Sequence, residues 1–274
     1  MNYSVNYVFP EVMELLNLGD TYIKYPGGKY DLKTLDDLIN KKYNIVLHGI
    51  IPSSGSIRDS DLCNDIEEFA KYVKLTNQKW LSFHLDNKTW YVKSDLDETI
   101  SNNIVKIRDY CGNDMPILIE NMPPVDAREE WCADPTITSK ICKKYNLGLL
   151  LDIPHLVISS KFREETVEEY LSKLPLDRVK EIHVSGWSQL PDGSLYDSHI
   201  ECSSYSYELL DYVLDRTPNC EMVSLEYAPA RDYDGYQVAK QYREERKTED
   251  FCIELERQLE IIKGIAEGKT FTNS

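Results

Sequence analysis

The stretch Leu147-Gly148-Leu149-Leu150-Leu151-Asp152 is a short apolar run that ends on a carboxylate, and the rest of the chain repeats its design. Apolar residues at consecutive rather than alternate positions, over so few residues, read as a strand buried on both faces, as parallel strands are. Upstream, Asp134-Pro135 places a capping residue before a proline at the first helical position, so a helix over 134–145 leads into the strand. Working outward, five further runs have the same character: NIVLHG (44–49), KWLSFHL (79–85), PILIEN (116–121), VKEIHV (179–184) and EMVSLEY (221–227). Helical periodicity fills the gaps between them. It covers 61–75 after the capping residue Ser60, 97–110 up to Cys111-Gly112, 164–173, 204–215, and a long polar helix over 236–266. Residues 3–8 and 21–25 supply two more strands, with helices at 10–17 and 31–40. Strict alternation of β and α implies a parallel sheet, and eight units in 274 residues favour a closed α/β structure, a (β/α)8 TIM barrel. An open doubly wound sheet is the structural alternative. No GxGxxG or GxxxxGK[ST] follows a strand, so a dinucleotide or P-loop site has no support.

No low-complexity segment, Pro/Gly/Ser-rich linker or composition break divides the chain, so residues 1–274 are expected to form a single barrel domain. Lys and Arg total 31 against 47 Asp and Glu, a formal charge of −16. Nucleic-acid binding rests on cationic neutralisation of phosphates, so this balance argues against a nucleic-acid partner. No apolar run reaches the roughly 18 residues of a membrane span. The N-terminal MNYSVNYVFPEVMELL lacks a basic region followed by a long apolar one, which gives the expectation of a cytoplasmic protein. Seven cysteines, an odd number with no CxxC, read as reduced small hydrophobes rather than as a disulfide framework or a thiolate metal site.

The chain has five histidines, His48, His84, His155, His183 and His199, and all lie at or just after the C-terminal end of an expected strand. Glu120, Asp152 and Glu226 take the same phase, and Asp197 lies two residues before His199. The intervals from His48 to His84, Glu120, Asp152 and His183 are 36, 36, 32 and 31 residues. A βα unit in a barrel of about 250 residues averages roughly 31. One ligand-type residue per unit, at one phase, forms a ring around the barrel mouth, where barrel active sites form. Any one of these residues could be an ordinary hydrogen-bonded strand end. The coincidence of all five histidines points instead to metal. Imidazole and carboxylate suit iron, zinc or manganese. Nine ligand candidates exceed the coordination of one ion, so two or three ions are expected, with carboxylates shared between them.

The ordered set His, His, Glu, Asp-x-x-His, His, Asp-x-His, Glu resembles that of the xylose-isomerase-like barrels. These include zinc-dependent apurinic-site endonucleases and multinuclear non-heme iron-dependent oxidative enzymes. The local wording is similar to the second group, which includes the iron enzyme of methanobactin biosynthesis. It is carried by His48-Gly49 with Ser53-Ser54, Ser82-Phe83-His84-Leu85, Ile119-Glu120-Asn121 and Leu150-Leu151-Asp152-Ile153, then Glu181-Ile182-His183-Val184-Ser185-Gly186, Asp197-Ser198-His199 and Leu225-Glu226-Tyr227. The resemblance runs from about residue 44 to 229. It implies that His48 and His84 bind one ion, that Glu120 bridges to a second completed by Asp152, His183 and Glu226, and that His155, Asp197 and His199 hold a third. Some relatives carry Asn at the His155 position. The implied activity is oxidation of a cysteine within a precursor peptide by iron, with dioxygen as co-substrate and a partner protein that delivers the peptide. Asn121 is a candidate to orient substrate or oxygen, or else to cap its strand end. Trp187 and Tyr196 are candidates to shape the pocket, or else ordinary loop packing.

Three other readings stand beside this one. A zinc-dependent phosphodiester hydrolase of the apurinic-site type would use the same ligands, against the acidic charge. A sugar isomerase or epimerase needs fewer ligands. A non-catalytic scaffold leaves the ring of donors unexplained. The sequence identifies no particular peptide.

Overall fold

The structure, a computed structural model, describes residues 1–8, 10–27, 31–85, 96–124, 131–228 and 248–268. Eight parallel strands close into a barrel. In chain order they are β1 (Asn2–Asn6), β2 (Tyr22–Pro26), β3 (Ile45–His48), β4 (Leu81–His84), β5 (Ile117–Glu120), β6 (Gly148–Asp152), β7 (Val179–Val184) and, after an inserted hairpin of β8 (Gly186–Gln189) and β9 (Leu195–Ile200), β10 (Met222–Leu225). Each pairs with its sequence neighbours around the ring, and β10 returns to β1. This is a (β/α)8 barrel.

Helices α1 (Pro10–Leu15), α2 (Leu32–Asn40), α3 (Ile66–Leu75), α4 (Leu96–Cys111) and α5 (Pro135–Tyr145) follow the first five strands. Then come α6 (Ile153–Phe162), α7 (Val167–Leu171), α8 (Ser204–Leu214) and α9 (Thr248–Ala266). The cap signals act locally. Asp31 accepts from the Thr34 amide and Asp134 from the Thr136 amide, each satisfying an orphan donor of its helix's first turn. Asn146 ends α5 in the left-handed conformation.

Three expectations are corrected. Helix α3 starts at Ile66 rather than at residue 61, because residues 61–65 form turns that bury Leu62 and Cys63. The segment expected as a helix over 164–173 holds only the short α7, opened by a Thr166–Glu169 capping box. The larger helix there is α6, which begins directly after β6. All its residues from Ile153 to Ser160 are buried, so it lacks the one-sided apolar stripe by which a surface helix is recognised. Lastly, residues 186–200 are an antiparallel hairpin rather than a loop. Its turn is set by Pro191-Asp192-Gly193, where the Asp192 carboxylate accepts from the Ser194 amide. The first part of the expected long C-terminal helix, 236–247, lies outside the described residues, and α9 supplies the rest.

Strand alternation sorts the barrel interior into layers. Val46, Trp80, Leu118, Leu150 and Met222 pack with Tyr22 as a cluster separate from the main core. Two residues further along the same faces come His48, Ser82, Glu120, Asp152, Lys24 and Ser224. The chain therefore fills its barrel with apolar side chains toward the strand N-termini and with polar ones toward the C-termini. The larger core lies between the strands and the helices.

Candidate metal centre

The barrel strands deliver six of the nine expected donors. His48, His84, Glu120 and Asp152 are the last residues of β3, β4, β5 and β6, His183 is next to last in β7, and Glu226 directly follows β10. In-register pairing sets His84 beside Glu120 and Asp152 beside His183. His155 comes from the first turn of α6. There the Asp152 carboxylate caps the helix by accepting from the His155 amide at 2.6 Å, so one residue both starts the helix and faces the centre. Asp197 and His199 come from β9, so the hairpin that sequence reading missed carries two of the donors. His199 holds a left-handed backbone (φ 50°), and its carbonyl accepts from the amide of Ala228, just past β10, at 3.1 Å.

All nine side chains converge. Glu120 lies at the middle: Oε2 is 3.5 Å from both His48 Nε2 and His84 Nε2, while Oε1 is 3.1 Å from His155 Nδ1 and 3.7 Å from His183 Nδ1. His183 Nδ1 is also 3.6 Å from Asp152 Oδ2 and 3.2 Å from Glu226 Oε1. Beyond it, His155 Nε2 is 3.3 Å from Asp197 Oδ2, which is 2.8 Å from His199 Nε2. His199 Nδ1 returns to Glu226 Oε2 at 3.7 Å.

Among the described residues, two sets of three donors have ligand atoms mutually within 4.8 Å: His48, His84 and Glu120, and Glu120, Asp152 and His183. Glu120 belongs to both. Among the described residues, several buried atoms that face this space lack a hydrogen-bond partner, namely His48 Nε2, Glu120 Oε2 and His183 Nδ1. Orphaned buried acceptors are costly, and a bound cation is the partner that fits lone pairs on nitrogen and carboxylate oxygen alike. The donors present therefore fit metal ions.

Without a cation the groups charge-balance one another. Burial pushes Glu120 up, but the imidazoles of His84 and His183 outweigh it and hold the carboxyl well below its usual range. Glu226 is likewise held low against burial, chiefly by His183. Burial also opposes charge on His155 and His183, yet Asp152 and Glu226 keep both well above the ordinary imidazole value. Asp152 is the exception among the carboxylates, pushed by burial up to about 6. Burial drives His48 well down, so that ring is neutral and ready to donate a lone pair.

Further residues, not singled out from sequence, hold the donors. His48 Nδ1 contacts Ser82 Oγ at 2.8 Å, leaving Nε2 for the centre. His183 Nε2 lies 3.2 Å from Glu181 Oε1, leaving Nδ1. Glu181 is itself paired with Lys24, and that cation overcomes burial to hold the carboxyl far below its usual range. The period-2 spacing of Ser82 from His84 and of Glu181 from His183 was the available signal. The chain after β3 folds back beside β4, where the His84 amide donates to Gly55 O and the His84 carbonyl accepts from the Ile57 amide. Gly49 makes that turn at φ 79°, where a Cβ would sit 2.6 Å from Gly55 Cα.

Asn121 has both amide atoms on the Asp152 main chain, accepting from its N–H at 2.8 Å and donating to its carbonyl at 3.0 Å. Its own carbonyl contacts His155 Nδ1 at 2.9 Å. Trp187 packs edge-on against Tyr205, with ring centroids 6.1 Å apart. The seven cysteines are free and contribute to neither donor set. A cavity of about 340 Å³ opens at the N-terminal ends of β2, β3 and β4, against Tyr22, Tyr43 and Trp80, and contains none of the nine donors.

The closed eight-stranded barrel is similar in fold to solved xylose-isomerase-like barrels. It aligns with a structure of the IolI protein with a bound zinc atom (TM-score 0.64, 15% identity, 99% of this chain and 100% of that one). It also aligns with a family 2 AP endonuclease from Brucella melitensis (TM-score 0.56, 14% identity, 88% and 99%). These likenesses establish the fold alone. The chain belongs to the family of RiPP precursor modification enzymes MbnB/TglH/ChrH, which it matches over residues 18–248. Its relatives include a UPF0276 protein of Acaryochloris marina, 28% identical over 69% of this chain and 70% of that protein. Another, from Caulobacter vibrioides, is 26% identical over 60% and 61%. The family is enzymatic and acts on ribosomally made peptide precursors. Among the described residues no helix is long and apolar enough to cross a membrane.

Proposed function

We propose that the chain is a multinuclear iron-dependent oxidase or oxygenase that modifies a cysteine of a precursor peptide, with dioxygen as co-substrate. The observation that carries this reading is the shared carboxylate. Glu120 serves two three-donor sets at once, which suits adjacent ions rather than one structural ion. His48 and His84 would hold the first ion with Glu120, and Asp152, His183 and Glu226 the second. His155, Asp197 and His199 would hold a third. When bound, iron supplies the one-electron chemistry with oxygen that no side chain of the centre provides.

The protein's own part is positioning and exclusion of water. Most of the donors are nearly fully buried, but the His84 side chain is 28% exposed and Asp197 18%. These two more exposed side chains mark the side of the centre that substrate would approach. The histidines and carboxylates leave the thiolate to come from the substrate, since the seven cysteines of the chain lie outside both donor sets. The peptide would be presented by a partner protein.

Elemental analysis with optical and Mössbauer spectra of protein purified without oxygen tests this. Two or three iron atoms per chain, some antiferromagnetically coupled, are expected. Stoichiometric zinc that persists under iron supplementation would overturn the oxidative reading in favour of hydrolysis.

A further inference from the structure

Behind His183, on the side away from the other donors, lies the buried Lys24–Glu181 ion pair. Lys24 Nζ reaches Glu181 Oε1 at 2.5 Å, with side-chain exposures of 1% and 0%. Three more contacts converge on the same carboxylate. Ser224 Oγ donates to Oε1 at 2.7 Å, Trp80 Nε1 donates to Oε2 at 3.0 Å, and His183 Nε2 lies 3.2 Å from Oε1. Ser4 Oγ backs Ser224 Oγ at 2.5 Å. Four strands, β1, β2, β7 and β10, and the residue before β4 thus contribute to one polar knot in the barrel interior.

A buried ion pair is a poor device for stability. Two charges must leave water, and apolar residues of similar volume commonly serve a core as well or better. The layer beneath this one is apolar, so the barrel has no general need of a lysine and a glutamate here. What the pair does have is a direction. A carboxylate with its other lone pairs engaged by Lys24, Ser224 and Trp80 accepts from the ring of His183. With one ring proton held on Nε2, Nδ1 is the ring atom directed at Glu120, Asp152 and Glu226.

We propose that Glu181, neutralised by Lys24, is the positioning residue of the metal centre, fixing the tautomer and orientation of His183 so that Nδ1 is a ligand of the ion shared by Glu120 and Asp152. This rests on the reading of the nine donors as a multinuclear metal centre, and on nothing about iron or its substrate. Outer partners of this kind typically govern metal affinity by 10- to 100-fold. Lys24 keeps the pair neutral, so that the carboxylate orients the ring without adding a fixed negative charge.

The test is titration with Co2+ under a competing chelator, read by the visible absorption of the bound ion and by its stoichiometry, on the metal-free full chain. Wild type should take up at least two ions. Glu181→Gln should keep the ion of the His48, His84 and Glu120 set, and bind the next one about 10- to 100-fold more weakly with an altered absorption band. The double variant Lys24→Met with Glu181→Leu removes both charges together; it should fold, with a lowered melting temperature from the Trp80 and Ser224 groups left unpaired, and show the same selective weakening. Wild-type affinity and spectrum in either variant would overturn the proposal. So would a double variant that fails to fold, which would make the pair a strut of the barrel. Wild type that binds no second Co2+ would instead remove the multinuclear centre itself, and the proposal with it.

Discussion

Replacing Glu120 by glutamine changes one atom of a fully buried side chain and tests the design of the centre directly. In the wild-type geometry Oε2 faces His48 and His84, while Oε1 faces His155 and His183. Glutamine keeps the volume but offers one oxygen, so at best one donor set retains its third ligand. It also removes a unit negative charge from both sets. At an effective dielectric of about 20, a unit charge pair at 4 Å is worth about 4 kcal/mol. With 1.4 kcal/mol per tenfold, that is nearly three orders of magnitude in affinity for each ion that loses the charge. The expected outcome is loss of more than one ion per chain, measured by elemental analysis after equilibration with a chelator of known affinity. Circular dichroism should show the barrel intact, because the side chain leaves no cavity. A folded Glu120→Gln protein that loses one ion or none would refute the bridging role and the reasoning built on the shared carboxylate.

Three further outcomes are expected. Asn121→Ala removes two hydrogen bonds to the buried Asp152 main chain, at about 1–3 kcal/mol for each group left unpaired, so denaturation of the metal-free protein should register a loss of about 2–6 kcal/mol; a loss below 1 kcal/mol with impaired peptide binding would make Asn121 a substrate contact instead. Gly49→Ala places a Cβ against Gly55 in a left-handed backbone, costing about 1–3 kcal/mol, and should displace the chain that holds His84, read as selective loss of the ion at His48, His84 and Glu120; unchanged metal content would contradict this. Proton linkage gives the pH dependence. His155 and His183 are held above the ordinary value of 6.5, so their contribution to metal-free stability is complete below about pH 6.5 and is lost as pH rises through the folded values. Metal must displace those protons, so Co2+ affinity should tighten with rising pH while the metal-free melting temperature falls; pH-independent uptake would sink the assignment of the two rings as ligands.

The two-faced apolar runs and their caps carried the architecture in the sequence, since a strand such as LGLLLD is buried on both sides wherever it sits in a parallel sheet. The nine donors were legible for a related reason. Strand ends recur at one phase per βα unit, so a residue type repeated at that phase must gather at one face. What the sequence hid were elements whose signal lies in context. Helix α6 is buried all round and shows no amphipathic period. The β8–β9 hairpin alternates weakly and shows itself chiefly in its Pro-Asp-Gly turn, yet it delivers Asp197 and His199.

The sequence by itself determined the alternation that closes as a barrel and the gathering of the five histidines and their companion carboxylates toward one end of it, because each follows from local periodicity and chain phase. Only the tertiary structure decided that Glu120 is shared between two donor sets and that Asp152 caps the helix bearing His155. It alone decided that Lys24 and Glu181, 157 residues apart, meet behind His183. Those facts depend on which strands become neighbours when the barrel closes and on which rotamers its interior admits. Neither is encoded in the spacing of residues along the chain.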